Sequence, residues 1–133
     1  MTNLSQAEAI SIESLGTSFI NALANRDFDE LTRCFHPNVR SRLLIPAALI
    51  TPPDAKAVSA RFRQWFGEAD QFEMTDSRVS MLGKRLAMLY TLQMREGERW
   101  FVVQQQTYGD VRNGCIETFD LLCSGFQPMP VSF

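Results

Sequence analysis

Glu98–Phe126, ERWFVVQQQTYGDVRNGCIETFDLLCSGF, reads as two long strands joined by one tight turn. Trp100 to Tyr108 and Cys115 to Cys123 are rich in Val, Phe, Thr, Tyr, Ile and Leu, a composition that suits a pleated, half-buried surface. Asn113-Gly114 lies between them and tolerates the positive φ that a hairpin turn demands. The hairpin has one odd feature, the run Gln104-Gln105-Gln106 in the middle of an otherwise apolar strand. Alternation puts Gln104 and Gln106 on one face. If that face is the inner one, two amides point into apolar surroundings, which is costly unless something bonds to them. The pattern points to a pocket.

Working back from the hairpin, Phe72 to Leu82 and Arg85 to Met94 read as two further strands. The short turns Gly83-Lys84 and Glu96-Gly97 make consecutive strands antiparallel neighbours. Upstream the pattern is helical. Ser5 with Glu8 has capping-box spacing, and Ile12, Leu15, Phe19 and Leu23 form one stripe of a helix over residues 5–24. Asp27 with Glu30 repeats the capping logic for a short helix from Phe28 to Phe35, which Pro37 ends. Val39 to Ile45 reads as a strand with a basic, solvated face at Arg40 and Arg42. A third helix is expected to start at Thr51 as cap with Pro52 in its first position, to carry the stripe Val58, Phe62, Trp65, Phe66, and to stop at Gly67. An aromatic stripe is core by default, although aromatics over a curved sheet also line small-molecule cavities. The tail QPMPVSF reads as a loosely held extension.

The chain of 133 residues is long enough for one domain over residues 1–133 with a core of its own. A net charge of -2 with mixed signs gives no electrostatic footprint for nucleic acid or an anionic membrane. Three cysteines, Cys34, Cys115 and Cys123, lack CxxC spacing, so the expectation is reduced, buried thiols, no disulfide framework and no metal site. The start of the chain lacks a basic segment followed by an apolar block, and no apolar run reaches spanning length. A cytoplasmic protein with no membrane partner is expected.

Helix, short helix, strand, helix and a long antiparallel meander is the element order of the nuclear transport factor 2-like (NTF2-like) superfamily. The chain resembles its SnoaL-like members, relatives of ketosteroid isomerases, polyketide cyclases and scytalone dehydratases. The resemblance runs from about Ile12 to Phe126. It rests on Phe19-Ile20-Asn21-Ala22-Leu23, on Arg26-Asp27-Phe28-Asp29-Glu30-Leu31, on Phe35 before a polar loop and strand, and on Asn113-Gly114 leading into Ile116. It implies an α+β fold in which a cone-shaped, curved, mixed or antiparallel sheet and three N-terminal helices enclose a pocket. The implied ligand is a small apolar, cyclic or polyketide-like molecule, handled without a cofactor.

Carried over residue by residue, the resemblance sets Phe19, the Leu43 to Ile45 segment and Gln106 where ketosteroid isomerases hold a Tyr, an Asp base and a protonated Asp. None of these can supply that acid–base chemistry. The implied pocket wall is Phe19, Leu43, Phe62, Trp65, Gln104, Gln106, Phe119, Leu121 and Cys123, with Gln106, Gln104 and Tyr90 as the candidate catalytic groups. On the strand Arg85 to Met94 the more apolar face is Met88, Tyr90, Leu92 and Met94, whereas the resemblance favours the alternate set. A β-bulge reconciles them. Asp120 falls opposite Phe119 and Leu121 and so belongs to the outer face, where Arg40 and Arg42 can meet it. His36, the only histidine, sits in a loop and reads as a surface or capping group. Two readings follow: a cofactor-free isomerase, cyclase or dehydratase, or a non-catalytic binder or dimeric interaction module. The three helices can cover only one face of the sheet, so a homodimer is expected.

Overall fold

The computed structural model describes residues 5–129. Helix α1 (Gln6–Ala24) starts as its capping box dictates: the Glu8 N–H donates to Ser5 Oγ at 3.1 Å, and the Ser5 hydroxyl donates to the Glu8 carboxylate at 3.0 Å. Helix α2 (Phe28–Arg33) is capped by Asp27, which accepts from the Glu30 N–H at 3.1 Å. It ends before the expected Phe35, because Phe35 opens β1 (Phe35–Ile45) and pairs with Ile116. A strand partner distant in sequence has overridden local helix propensity there.

Strand β2 (Ala48–Ile50) was hidden by Pro46 in the sequence; it folds back antiparallel on β1, with Leu43 opposite Ile50. Helix α3 (Ala55–Phe66) starts later than Thr51. Asp54 is its cap, extended at φ -156° and ψ 177°, and accepts from the Ala57 N–H at 2.8 Å. The cause is the double proline: Pro53 biases Pro52 away from the helical region and so lengthens the lead-in.

Strands β3 (Gln71–Leu82), β4 (Arg85–Glu96), β5 (Arg99–Gly109), β6 (Val111–Arg112), β7 (Cys115–Cys123) and β8 (Gln127–Pro128) follow. The sheet order is β2-β1-β7-β5-β4-β3, with β6 on β7 and β8 on β5. Only β1 and β7 run parallel, so this curled, unclosed sheet is mixed, and with three helices the chain is α+β as expected. The tail is less loose than its prolines imply: Gln127 and Pro128 pair with Val102 and Phe101, and the Met129 N–H donates to Trp100 O at 3.0 Å. Residues 130–133 of that tail lie outside the described residues. No helix among the described residues is long and apolar enough to cross a membrane.

The concave face of the sheet and the helices close on a core centred on Phe19, which is fully buried. Its ring lies 5.9 Å from Phe35, 6.0 Å from Phe62, 6.2 Å from Tyr90 and 5.8 Å from Phe119. Arg26, in the left-handed region at φ 51°, donates from Nη1 to Phe66 O at 3.1 Å and Ala69 O at 2.8 Å. That residue ties the α1–α2 corner to the end of α3.

One irregularity sets which side chains look inward. Near the turn, Val111 pairs with Ile116 and Arg112 with Cys115; beyond it, Tyr108 pairs with Asp120 and Thr107 with Leu121. Gly109 and Asp110 therefore face three residues, Glu117 to Phe119. The Asp110 carbonyl accepts from both the Glu117 N–H at 2.8 Å and the Thr118 N–H at 3.4 Å, the signature of a β-bulge on β7. Thr118 locks it, its Oγ1 accepting from the Asp110 N–H at 3.0 Å and donating to Asp110 Oδ2 at 2.7 Å. The register slips by one residue, and every β5 side chain beyond the bulge changes face.

Candidate functional site

The slip decides the fate of the glutamines. Counting from the Asn113-Gly114 turn without a bulge places Gln104 beside Cys123 and Gln106 beside Leu121, both facing inward. The observed partners are Gln105 with Cys123 and Gln106 with Leu122. Gln104 and Gln106 are exposed on the outer face, and Gln105 is the inward amide at 1% exposure. The expected inward placement of Gln104 and Gln106 is therefore corrected. Because the β4–β5 ladder is regular, the same bulge turns Met88, Tyr90, Leu92 and Met94 inward, with Tyr90 opposite Gln105. The bulge inferred to reconcile the faces of that strand is present.

Inside the cone, β4, β5 and β7 bring three groups together. The Tyr90 hydroxyl donates to Gln105 Oε1 at 2.5 Å, Gln105 Nε2 donates to Cys123 Sγ at 3.4 Å, and the Gly125 N–H reaches the same sulfur at 3.3 Å. One amide buried in apolar surroundings is thus satisfied from both ends, which meets the cost that the sequence flagged. Burial pushes the Tyr90 hydroxyl well above its ordinary pKa, and the nearby Cys123 adds to that. Tyr90 is held neutral, a donor and not a base. No charged side chain is buried among the described residues; the buried polar ones are Ser41, Ser59, Gln105 and Thr107.

The other residues expected on a pocket wall divide in two. Phe19, Leu43, Phe62, Phe119, Leu121 and Cys123 are buried, and the aromatic rings among them pack on one another. Trp65 is only partly buried. It belongs to a run of rings that links the core to exposed Phe126: Phe62 to Trp65 at 5.4 Å, Trp65 to Phe66 at 6.0 Å, Phe66 to Phe72 at 5.5 Å, Phe66 to Phe126 at 6.3 Å, and Phe126 to Phe101 at 6.3 Å. Two guanidinium groups stack on its edge, Arg26 at 5.3 Å from the Phe72 ring centre and Arg99 at 5.2 Å from that of Phe101. Phe72, Phe101 and Phe126 escaped sequence reasoning because they come from three separate places in the chain. The available signal was the inward position of Phe101, two steps of alternation from Gln105.

The outer face has a different chemistry. Arg42 grips Asp120 with both arms, Nε to Oδ1 at 2.7 Å and Nη2 to Oδ2 at 2.9 Å, and Arg85 Nη2 reaches Asp120 Oδ2 at 3.4 Å. Arg85 Nε lies 3.3 Å from Asp110 Oδ1 but is poorly aligned for a hydrogen bond. The bond from Arg42 holds the Asp120 carboxyl below the usual carboxylate range, against a smaller opposing effect of burial. Beside this pair lies a groove of 340 Å³ walled by Leu44, Leu49, Tyr108 and Leu122. Leu44, Leu49 and Leu122 are large apolar side chains about half exposed. His36 lies in β1 and not in the expected loop; it is exposed, and its Nδ1 accepts from the Asn38 N–H at 3.0 Å.

The sequence matches no family model and no curated protein. Solved structures do resemble it. Bal32a, from a soil-derived mobile gene cassette, is 16% identical with a TM-score of 0.74, over 89% of this chain and 92% of that one. A nuclear transport factor 2-like protein of unknown function from Burkholderia pseudomallei is 16% identical with a TM-score of 0.67, over 84% and 88%. An epoxide hydrolase of the LEH-like type from Mycobacterium tuberculosis is 16% identical with a TM-score of 0.66, over 88% and 85%. At such identity the likeness is one of fold, and one fold hosts many chemistries.

Proposed function

We propose, from the premise that this chain has the nuclear transport factor 2-like fold, that it binds a small, ring-bearing apolar molecule at the open end of its cone and does not transform it. One observation carries the reading: the inner face holds no ionised group among the described residues, and its polar centre is the neutral Tyr90–Gln105–Cys123 chain. Isomerisation, cyclisation or dehydration by general acid–base catalysis needs a group that gives or takes a proton near neutral pH. A tyrosine pushed upward by burial and an amide do not do so. Binding needs only apolar surface and a few oriented polar groups. Partly buried Trp65, Phe72 and Phe101 with exposed Phe126 supply the surface, and Arg26 and Arg99 at their edge favour an electron-rich end of the ligand.

The test is a ligand-observed NMR screen of cyclic ketones, lactones and aromatic acids, followed by product analysis of each hit. The expected result is saturable binding that Phe101→Ala weakens, with every hit recovered unchanged. Recovery of a converted product that disappears in Gln105→Leu restores the enzymatic reading, that of a cofactor-free isomerase, cyclase or dehydratase.

A second reading rests on a separate observation, the half-exposed Leu44, Leu49 and Leu122 beside the Arg42–Asp120 pair. We propose that this outer face pairs with a second copy of the chain, since clustered exposed leucines mark an interface more often than an isolated one does. Sedimentation velocity is expected to give a dimer that Leu122→Arg converts to monomer; a monomeric wild type at micromolar concentration rejects it.

A further inference from the structure

We propose that Cys34 and Cys115 form a reversible disulfide across the junction of α2, β1 and β7, made when hydrogen peroxide enters the groove beside α2. Although far apart in sequence, the two lie at one end of the β1–β7 pairing, Cys34 one residue before β1 and Cys115 the first residue of β7. Phe35 and Ile116 are parallel partners, and the Ile116 N–H donates to Cys34 O at 2.8 Å. A single hydrogen bond thus joins the peptide unit after Cys34 to the one after Cys115. Adjacent strands lie about 4.7–4.9 Å apart, and a disulfide needs Cα atoms roughly 4.4–6.8 Å apart. Cys34 is the C-cap of α2, and its thiol makes one weak bond, to Glu30 O at 3.6 Å, which it can release by rotating.

The two thiols are set up differently. Cys115, expected buried like the other two, is instead partly exposed at the start of β7 and lines a groove of 870 Å³ whose walls include Arg33, Asn38 and Lys56, so a dissolved oxidant reaches it. Cys34 is buried at 3% exposure. Burial, with Glu30 and Cys115 adding to it, pushes its thiol up to about 11, which keeps Cys34 protonated and out of the first step.

The Cys115 thiolate attacks one peroxide oxygen; an S–O bond forms, the O–O bond breaks, and the departing hydroxide takes a proton to become water. Cys34 sulfur then attacks Cys115 Sγ; the S–S bond forms, the S–O bond breaks, and the thiol proton leaves with the oxygen as a second water. Two thiols have given two hydrogens and two electrons to the peroxide. The new link ties the end of α2 to the start of β7 and closes a long loop that holds α3 and β1 to β6, the kind of closure that stabilises most.

The experiment treats the whole chain with hydrogen peroxide, counts thiols after unfolding, and maps peptides without reduction. The expected result is a fall from three titratable thiols to one, a linked Cys34–Cys115 peptide, a higher thermal midpoint, and full reversal by dithiothreitol. Cys115→Ser, a change at a partly exposed site, is expected to keep both its thiols and to show no thermal shift. Cys34→Ala is expected to leave a sulfenic acid at Cys115 that dimedone traps. The proposal is overturned if three thiols survive peroxide, if Cys115 goes to sulfinic acid in the intact chain, or if it is found linked to Cys123 or to a second chain.

Discussion

Replacing Gln105 with leucine tests the bulge and the inner polar centre together. In the folded chain this amide is 1% exposed, accepts from Tyr90 and donates to Cys123. Leucine removes both bonds and leaves the hydroxyl of Tyr90, a residue 2% exposed, with no acceptor. An unpaired buried hydroxyl costs about 1–3 kcal/mol. The weaker bond to sulfur adds little, and the apolar leucine offsets part of the loss, so the net expectation is a destabilisation of about 1–2 kcal/mol. Adding Tyr90→Phe removes the stranded partner, and replacing both members of a pair by apolar groups is close to neutral. The double variant is therefore expected to be more stable than Gln105→Leu alone, with a coupling of about 1–2 kcal/mol. Gln106→Leu, on the exposed face one residue away, is expected to stay within about 0.5 kcal/mol of the parent. Urea denaturation with m-values compared across the parent, Tyr90→Phe, Gln105→Leu, the double variant and Gln106→Leu reads these differences. If Gln106→Leu costs more than Gln105→Leu, the register beyond Asp110 is wrong and the reasoning fails.

The bulge has a second dependence, because a Cβ at Gly109 would sit 2.4 Å from the Thr118 carbonyl oxygen. Gly109→Ala is expected to cost about 1–3 kcal/mol by overpacking against backbone that cannot yield, seen as a lowered urea midpoint. Phe62→Ala empties a fully buried site and is expected to cost about 3–5 kcal/mol; Trp65→Ala, at a partly buried one, should cost clearly less in the same assay, and the reverse order would place Trp65 in the core. Asp120 has a folded pKa below its unfolded one, so its contribution is present above the unfolded value of about 3.9 and is lost as pH falls through the folded value. Asp120→Asn should flatten that acid limb of the stability curve and leave it less sensitive to salt, which unfolding midpoints across pH at two ionic strengths will show; an unchanged limb would mean the Arg42 pair contributes nothing.

Local signals in the sequence were sufficient for the elements. Ser5 with Glu8 and Asp27 with Glu30 start their helices where the spacing says, and the four long strands from Gln71 to Cys123 follow alternation and turn chemistry, because those features act over a few residues. The order of elements was enough for the α+β cone. Where the reading failed, a distant partner had decided. Phe35 left its helix to pair with Ile116, and β2 exists only because β1 offers it an edge.

The inner face of β5 is the clearest case. Counted from the turn at Asn113-Gly114, the glutamine run points Gln104 and Gln106 inward. Counted from the other end, where the two-residue turn is Gly97-Glu98, one residue on from the expected Glu96-Gly97, with Gly97 at φ 63° and Glu96 paired with Arg99, the apolar face of β4 demands Gln105. The sequence held both answers. What chose between them was the bulge pinned by Thr118 and Asp110, a contact across strands that gives no local sign, and since the period of a strand is two, one extra residue was enough to exchange the buried amide for its neighbours. The run of aromatic rings is likewise tertiary in origin, since Trp65, Phe66, Phe72, Phe101 and Phe126 come together only when α3, β3, β5 and the link from β7 to β8 converge.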